Sequence, residues 1–214
     1  MSEENKYLKL ARAARDESNS EDAKKFYDMA RIEEPENGEA KFFYQFYSLY
    51  EGKNSEINDR FKKLSIVLKT SIQYVAQSED SEVEKLKTVE SIIDAYTPLT
   101  WALNQYMNTL KVPSGQGGST RVFPPAEIRL ICITGVHGLY DLGDAVAESF
   151  KASPAAMQLA LIPWKEGVRL QRKWYALKCE KTPEEYFAKI QKIDPSYQMP
   201  KKGGCITFGD KNVY

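Results

Sequence analysis

Small and large apolar residues alternate across two short helical segments at the start of this chain, with a turn between them. The pattern is carried by Tyr7, Leu10, Ala11, Ala14, Ala23, Tyr27, Ala30 and Pro35. A helical hairpin patterned in this way cannot bury its apolar face alone, so it must stack on a neighbour. The spacing therefore predicts a protein of stacked helices that binds a partner, and it indicates no particular reaction.

Composition narrows the class of protein. Lys plus Arg and Asp plus Glu both number 30, so the formal net charge is zero and gives no support to global polyanion binding. The acidic start MSEENKYLKL is unlike a signal peptide, and no apolar run approaches the roughly 20 residues of a membrane span. Cys132, Cys179 and Cys205 are odd in number and far apart, which is typical of reduced thiols. We therefore expect a cytoplasmic protein without a membrane segment.

Helical periodicity dominates the rest of the chain and predicts an all-α fold of about eight helices in antiparallel hairpins. The clearest stripe lies between Ser55 and Gln77, where apolar residues recur at steps of three and four. A further helical stretch runs to about Leu110, and Pro98 should kink or split it. Pro163 should likewise kink a helix that starts after Ser153.

The domain prediction follows from a composition change. Residues 112–126 are rich in Gly and Pro and read as a linker or loop. This divides the chain into a helical region over 1–111 and a second helical region over 127–214. The end of the second region, from Asp194 onward, is rich in Gly, Pro and Lys and is expected to be irregular, with Cys205–Phe208 as a short strand or apolar tether.

The first hairpin resembles a tetratricopeptide repeat. Tyr7, Leu10 and Ala11 match the first helix of the family pattern, and the second helix matches at Ala23, Tyr27, Ala30 and Pro35. Ala14 departs from the pattern, because the family usually has a bulky aromatic residue there. A degenerate second repeat follows, so the resemblance covers about residues 4–70 and implies a right-handed stack of hairpins with additional C-terminal helices.

The resemblance also implies a binding groove lined by the first helix of each repeat. Carried onto this chain, the groove positions are Asn5, Leu8, Arg12 and Arg15. Family members that clamp a peptide carboxylate have Lys and Asn where this chain has Leu8 and Arg12, so that mode is not supported. The two arginines could still attract an acidic segment.

One alternative is a nucleotide-binding protein or enzyme centred on residues 131–147. A β-branched apolar run is followed there by Gly135 and Gly138 and then by a helical pattern, as at the opening of a dinucleotide-binding fold. However, the glycines do not give the G-x-G-x-x-G spacing, and a buried helix with close helix contacts explains them as well. A general-base role for His137 beside Asp141 and Asp144 is conceivable. Because His137 is the single histidine, no metal site is predicted, and no cofactor is predicted either.

A second alternative is a nucleic-acid or polyanion binder that uses the basic and aromatic stretch 164–181. Its candidate residues are Arg169, Arg172, Lys173 and Trp174. An amphipathic surface helix accounts for the same residues. The leading hypothesis is therefore a non-catalytic module that binds a protein or peptide, with self-association through the aromatic third helix as a variant of it.

Overall fold

The fold consists of helices, as the periodicity predicts, with one short strand pair. The structure is a computed structural model that describes residues 5–113, 119–121, 123–174, 177 and 179–203. Within these ranges the α-helices are α1 (Lys6–Asp16), α2 (Ser20–Glu33), α3 (Gly38–Ser48), α4 (Ile57–Gln77), α5 (Glu82–Tyr96), α6 (Leu99–Thr109), α7 (Pro125–Ser149), α8 (Pro154–Lys173) and α9 (Pro183–Gln191). A 3₁₀ turn, Asn54–Glu56, precedes α4. The predicted all-α class is confirmed.

Side-chain caps fix where several of the helices begin. The side chains of Asn5, Asn19 and Asn37 accept hydrogen bonds from the first-turn amides of α1, α2 and α3. Ser81 caps α5 in a reciprocal capping box with Glu84. Such caps satisfy amides that have no partner inside the helix, and each contributes about 1 kcal/mol.

Proline interrupts the helical stretch at one of the two positions. The chain breaks at Pro98, so that α5 ends at Tyr96 and α6 begins at Leu99. This agrees with the missing N–H and the ring clash that proline introduces into a helix. At Pro163, by contrast, α8 continues from Pro154 to Lys173.

A short hairpin overlaps the predicted Gly- and Pro-rich loop. Strand β1 (Lys111–Pro113) pairs antiparallel with β2 (Ser119–Arg121), with Val112 opposite Thr120. The connection between the strands and residue 122 lie outside the described residues, as does the predicted tether at Cys205–Phe208. The described part of the tail, residues 194–203, forms no helix or strand.

Helices pack in a mostly sequential order, with one exception at the centre. Helices α1, α2, α3 and α4 pack on one another in sequence order. The largest further contact of α4 is with α7 rather than with α5, and α7 packs on α8, which packs on α9. Helix α5 contacts α3, α4, α7 and α8, while α6 packs on α7. The buried apolar residues of all these helices form one core cluster, so regions 1–111 and 127–214 share a core. None of the described helices combines the length and apolar character needed to cross a bilayer.

Helix α7 approaches its neighbours closely because glycine faces them. A Cβ atom on Gly135 would lie 2.7 Å from Cβ of the fully buried Thr100, and one on Gly138 would lie 1.9 Å from Oη of Tyr96. A side chain at either position would therefore collide with α5 or α6. The interpretation of these two glycines as close helix contacts agrees with this geometry.

We expect Gly135→Ala to lower the free energy of unfolding by about 1–3 kcal/mol, because overpacking outweighs the ~1 kcal/mol gain in helix propensity. Urea unfolding measures the change. Thr100→Ala in the same chain should recover part of the loss, since it removes the two Thr100 atoms nearest the added methyl group. If the Gly135→Ala variant were as stable as the wild type, the contact between α7 and Thr100 would not be tight.

Candidate functional site

The four groove positions predicted from the resemblance have different environments. Asn5 is buried, caps α1 and donates a hydrogen bond to Glu33 at 2.8 Å. Leu8 is part of the buried core. Only Arg12 and Arg15 keep part of their side chains exposed, 36% and 23%. Of the four, these two therefore present chemistry to a partner.

Both arginines are anchored on one buried carboxylate. Arg12 donates to Glu39 through Nε and Nη2, the latter at 2.6 Å, and Arg15 donates through Nη1 at 3.2 Å. The hydroxyl of Tyr27 donates to the same Glu39 oxygen at 3.0 Å. The Glu39 side chain is only 4% exposed, so α1, α2 and α3 are joined through a desolvated acceptor. Burial, followed by the Glu39 charge, raises the pKa of Tyr27, which stays protonated as the donor.

Aromatic side chains of α3 continue this surface. The Arg15 guanidinium lies 4.8 Å from the ring centroid of Phe43, and Phe43 contacts Tyr47 with ring centroids 6.4 Å apart. Phe46 then joins Tyr47 to Tyr50, at 5.4 Å and 6.0 Å.

Exposure increases along this row. Phe43 is buried, Phe46 and Tyr47 are half-buried, and Tyr50 is 64% exposed. We call the partly exposed set Arg12, Arg15, Phe46, Tyr47 and Tyr50 the arginine–aromatic face.

The groups on this face are guanidinium and phenol donors and aromatic rings. Burial raises the pKa of Tyr47, with the charge of Arg15 opposing it and that of Asp16 adding to it, so the phenol remains a neutral donor. The face combines cationic forks with flat aromatic surface, and both recur at the centres of protein interfaces. It contains no nucleophile paired with a general base.

The nucleotide-binding alternative does not survive the structure. Residues 131–147 all lie inside α7, so neither the strand nor the phosphate-binding turn that this site requires is formed. Burial raises the pKa of the Cys132 thiol to about 12 and that of Cys179 to about 11, which keeps both thiols protonated and unreactive. In the described part of the chain, no three His, Cys, Asp or Glu side chains are arranged as metal ligands.

His137 is not joined to the aspartates near it in sequence. Its Nε2 is buried and finds no hydrogen-bond partner among the described residues. Asp141 and Asp144 both accept hydrogen bonds from Lys181 instead, at 2.6 Å and 3.0 Å. A His–Asp general base is therefore not assembled here.

Asp144 acts as a cross-link between helices. It accepts hydrogen bonds from Trp164 of α8, from Tyr186 and Lys189 of α9, and from Lys181 before α9. Burial alone would raise its pKa, but the hydrogen bonds from Tyr186 and Lys181 outweigh burial and hold the pKa below the usual value. A surface cleft of about 240 Å³ borders this cluster. Among its lining residues, Asp144 pairs with Lys189, and Glu148 pairs with Lys69 from outside the cleft.

The arginines of the basic stretch are engaged within the chain. Arg169 binds Glu166 through two hydrogen bonds of 2.6 Å. Arg172 donates to the carbonyl of Pro200 at 2.9 Å and pairs more weakly with Glu184. Their charges are therefore already compensated by protein groups, which weakens their attraction for phosphates.

Trp174 is not available to stack on a base. It is 1% exposed and packs against Trp101, with ring centroids 5.9 Å apart. The ammonium group of Lys173 lies 4.1 Å from the Trp101 ring centroid. The structure thus brings Lys173 and Trp174 together around Trp101, where they pack as an amphipathic helix end rather than as an open nucleic-acid surface.

Sequence reasoning missed Glu39, which organises the candidate site. Glu39 lies between Gly38 and Ala40 at the start of an aromatic helix, and all three are buried. An acidic residue on the buried side of an apolar helix is the only local signal. It suggests a buried ion pair without identifying the partners.

Comparison with known proteins provides no further assignment. No family model matches the sequence, and no curated protein or solved structure matches it. Any function of the arginine–aromatic face must therefore be inferred from its geometry.

We expect Glu39→Ala to lower the free energy of unfolding by about 2–4 kcal/mol, because two partly buried guanidiniums lose their shared acceptor. Urea unfolding measures this loss. Glu51→Ala is the matched control: it removes a similarly long-range but exposed ion pair, to Lys24, and should cost less than about 1 kcal/mol. Equal losses in the two variants would refute the role of Glu39.

We expect Asp144→Asn to flatten the dependence of stability on acid pH. A carboxyl whose pKa is lowered on folding stabilises the protein above its unfolded pKa of about 4, and this contribution is lost as pH falls through the folded pKa. Wild-type protein should therefore lose more stability than Asp144→Asn between about pH 5 and pH 2 in thermal unfolding. Asp94→Asn, an exposed α5 change, should follow the wild type.

Proposed function

We propose that this chain is a non-catalytic module that binds a protein or peptide through the arginine–aromatic face. The observation that carries the proposal is the row from Arg15 to Tyr50, in which a fixed cation leads into increasingly exposed aromatic rings. Tyr and Arg are enriched among the few residues that contribute most of the binding free energy in protein interfaces.

Preorganisation supports this proposal. Because Glu39 and Tyr27 hold the arginines in place, a partner would not need to restrict two long flexible side chains on binding. Immobilising such a side chain costs about 0.5–1.5 kcal/mol, so prior fixation improves affinity. An acidic or carbonyl-rich segment next to an apolar side chain is the ligand chemistry that this face fits.

The tetratricopeptide-like architecture is part of the same proposal. The consecutive packing of α1, α2, α3 and α4 agrees with two stacked hairpins, and Arg12 of α1 reaches Glu39 of α3 as neighbouring first helices would. In such a stack, the first helices line the side on which partners bind. A cytoplasmic location is part of the proposal, on the number and spacing of the cysteines.

Charge reversal at the arginines cannot test this function cleanly. Arg12→Glu or Arg15→Glu would place a second carboxylate beside the buried Glu39, and we expect the repulsion to unfold the first hairpins. Tyr50 is the better probe, because its ring is exposed and its loss removes little core packing.

We expect peptides selected by the wild-type chain from a random 12-residue phage library to bind at least ten-fold more weakly to Tyr50→Ala. Fluorescence anisotropy with the selected peptides measures the dissociation constants. Ile66→Ala is the matched control, because Ile66 on α4 is 65% exposed and lies off the face.

The outcomes separate the alternatives. Weaker binding by Tyr50→Ala alone supports the proposed face. Equal binding by both variants, or failure to select any peptide, contradicts it. Concentration-dependent dimerisation that Tyr50→Ala abolishes, without peptide binding, would assign the same face to self-association.

A further inference from the structure

The segment after α9 lies along α8 as a strap, which we define as residues 194–203. It begins with a turn that is closed by a hydrogen bond from the Tyr197 amide to the Asp194 carbonyl. Asp194 binds Lys165 of α8 at 2.8 Å. Further along, the Pro200 carbonyl accepts from Nε of Arg172 at 2.9 Å, and the Gly203 amide donates to the Arg172 carbonyl at 3.0 Å. The strap therefore follows α8 from Lys165 to its C-terminal end.

Side chains of the strap fill specific positions on the α8–α9 surface. The Tyr197 ring packs against Phe187 of α9, with centroids 5.9 Å apart, and lies 5.3 Å from the ammonium group of Lys165. Met199 packs against the hydrophobic core. The surface thus provides a cation for an acidic group, an aromatic contact for a ring, and a guanidinium for a backbone carbonyl.

The strap is held much more loosely than the helices it covers. No residue from 194 to 203 is fully buried, whereas Tyr186 and Ile190 of α9 are completely buried. Segments with few buried contacts open locally while the rest of the fold stays intact. The strap can therefore leave α8 while α9 remains packed.

Gly203 shows how closely the end of the strap fits. A Cβ on Gly203 would lie 2.5 Å from the carbonyl oxygen of Lys173, a backbone atom that cannot move aside as a side chain can. Gly203→Ala would thus displace the end of the strap without altering any side chain of α8 or α9.

We propose that the α8–α9 surface is a second peptide-binding groove, which the chain's own strap occupies. Its external ligand is a partner segment with an acidic residue, an aromatic residue three positions later across a turn, and a Met–Pro pair after that. This pattern is the one that Asp194, Tyr197, Met199 and Pro200 present to the groove.

Intramolecular competition sets the affinity of this groove for a partner. A tethered segment acts at an effective concentration in the millimolar range, so a free peptide of equal intrinsic affinity is largely excluded. Weakening the strap alone should therefore expose the groove. This site is separate from the arginine–aromatic face, and the two proposals stand or fall independently.

The test uses the full chain and a fluorescein-labelled peptide of residues 192–203. We expect the double variant Tyr197→Ala, Gly203→Ala to bind this peptide at least ten-fold more tightly than the wild type in fluorescence anisotropy. Gln198→Ala with Lys201→Ala is the matched control, because it changes two exposed strap residues and should behave as the wild type. A peptide with Ala in place of its tyrosine should lose at least ten-fold in affinity.

Hydrogen exchange on the same variants separates strap release from unfolding. Faster exchange confined to the strap, together with tighter peptide binding, supports the proposal. Faster exchange throughout α8 and α9 would overturn it, because the strap would then be part of the fold. Equal binding of both peptides would also overturn it, as would dimerisation of the loosened variant without peptide uptake, which indicates strap exchange between copies.

Discussion

The close approach of α7 to four other helices is the constraint on which the rest of the structure depends. Glycine occurs where α7 meets the buried side chains of α5, α6 and α8. These pairs are Gly135 with Thr100, Gly138 with Tyr96, and Gly143 with Trp164. Each glycine costs about 1 kcal/mol of helix propensity relative to alanine, so three cost roughly 3 kcal/mol. Full burial of one large apolar side chain contributes about 1.5–3 kcal/mol. Burial of both Tyr96 and Trp164 against α7 therefore offsets the cost of the three glycines.

This packing also explains why the chain departs from a simple succession of hairpins. Helix α4 packs on α3 and on α7, and its contact with α7 is much more extensive than its contact with α5, the next helix in sequence. The α5–α6 pair contacts several helices rather than α4 alone, and the hydroxyl groups of Tyr96, at the end of α5, and Ser65 of α4 are hydrogen-bonded. The break at Pro98 makes this placement possible, because it lets α6 turn onto α7.

Local patterns in the sequence were sufficient to predict the helices but not the candidate site. The periodicity of α4 and the break at Pro98 depend on residues a few positions apart, and both predictions were confirmed. The state of Arg12 and Arg15 depends on Glu39, which lies 27 and 24 residues further along. Nothing in the spacing indicates that pairing, since exposed and buried arginines have the same helical period. For the same reason, Trp174 entered the polyanion hypothesis as an available ring although tertiary packing buries it.

Ion pairs within the chain compensate many of its 60 charged residues. At Glu39, Asp144 and Glu166, cations are bound by carboxylates of the same chain, so charge alone offers a polyanion little net attraction. Aromatic surface is unevenly distributed: it is exposed at Tyr50, just after α3, whereas Tyr197 of the strap packs on Phe187 of α9. Aromatic contact requires shape complementarity over its whole area, whereas long-range attraction does not. Under the proposed function, recognition therefore depends on the side chains of a partner segment more than on its net charge.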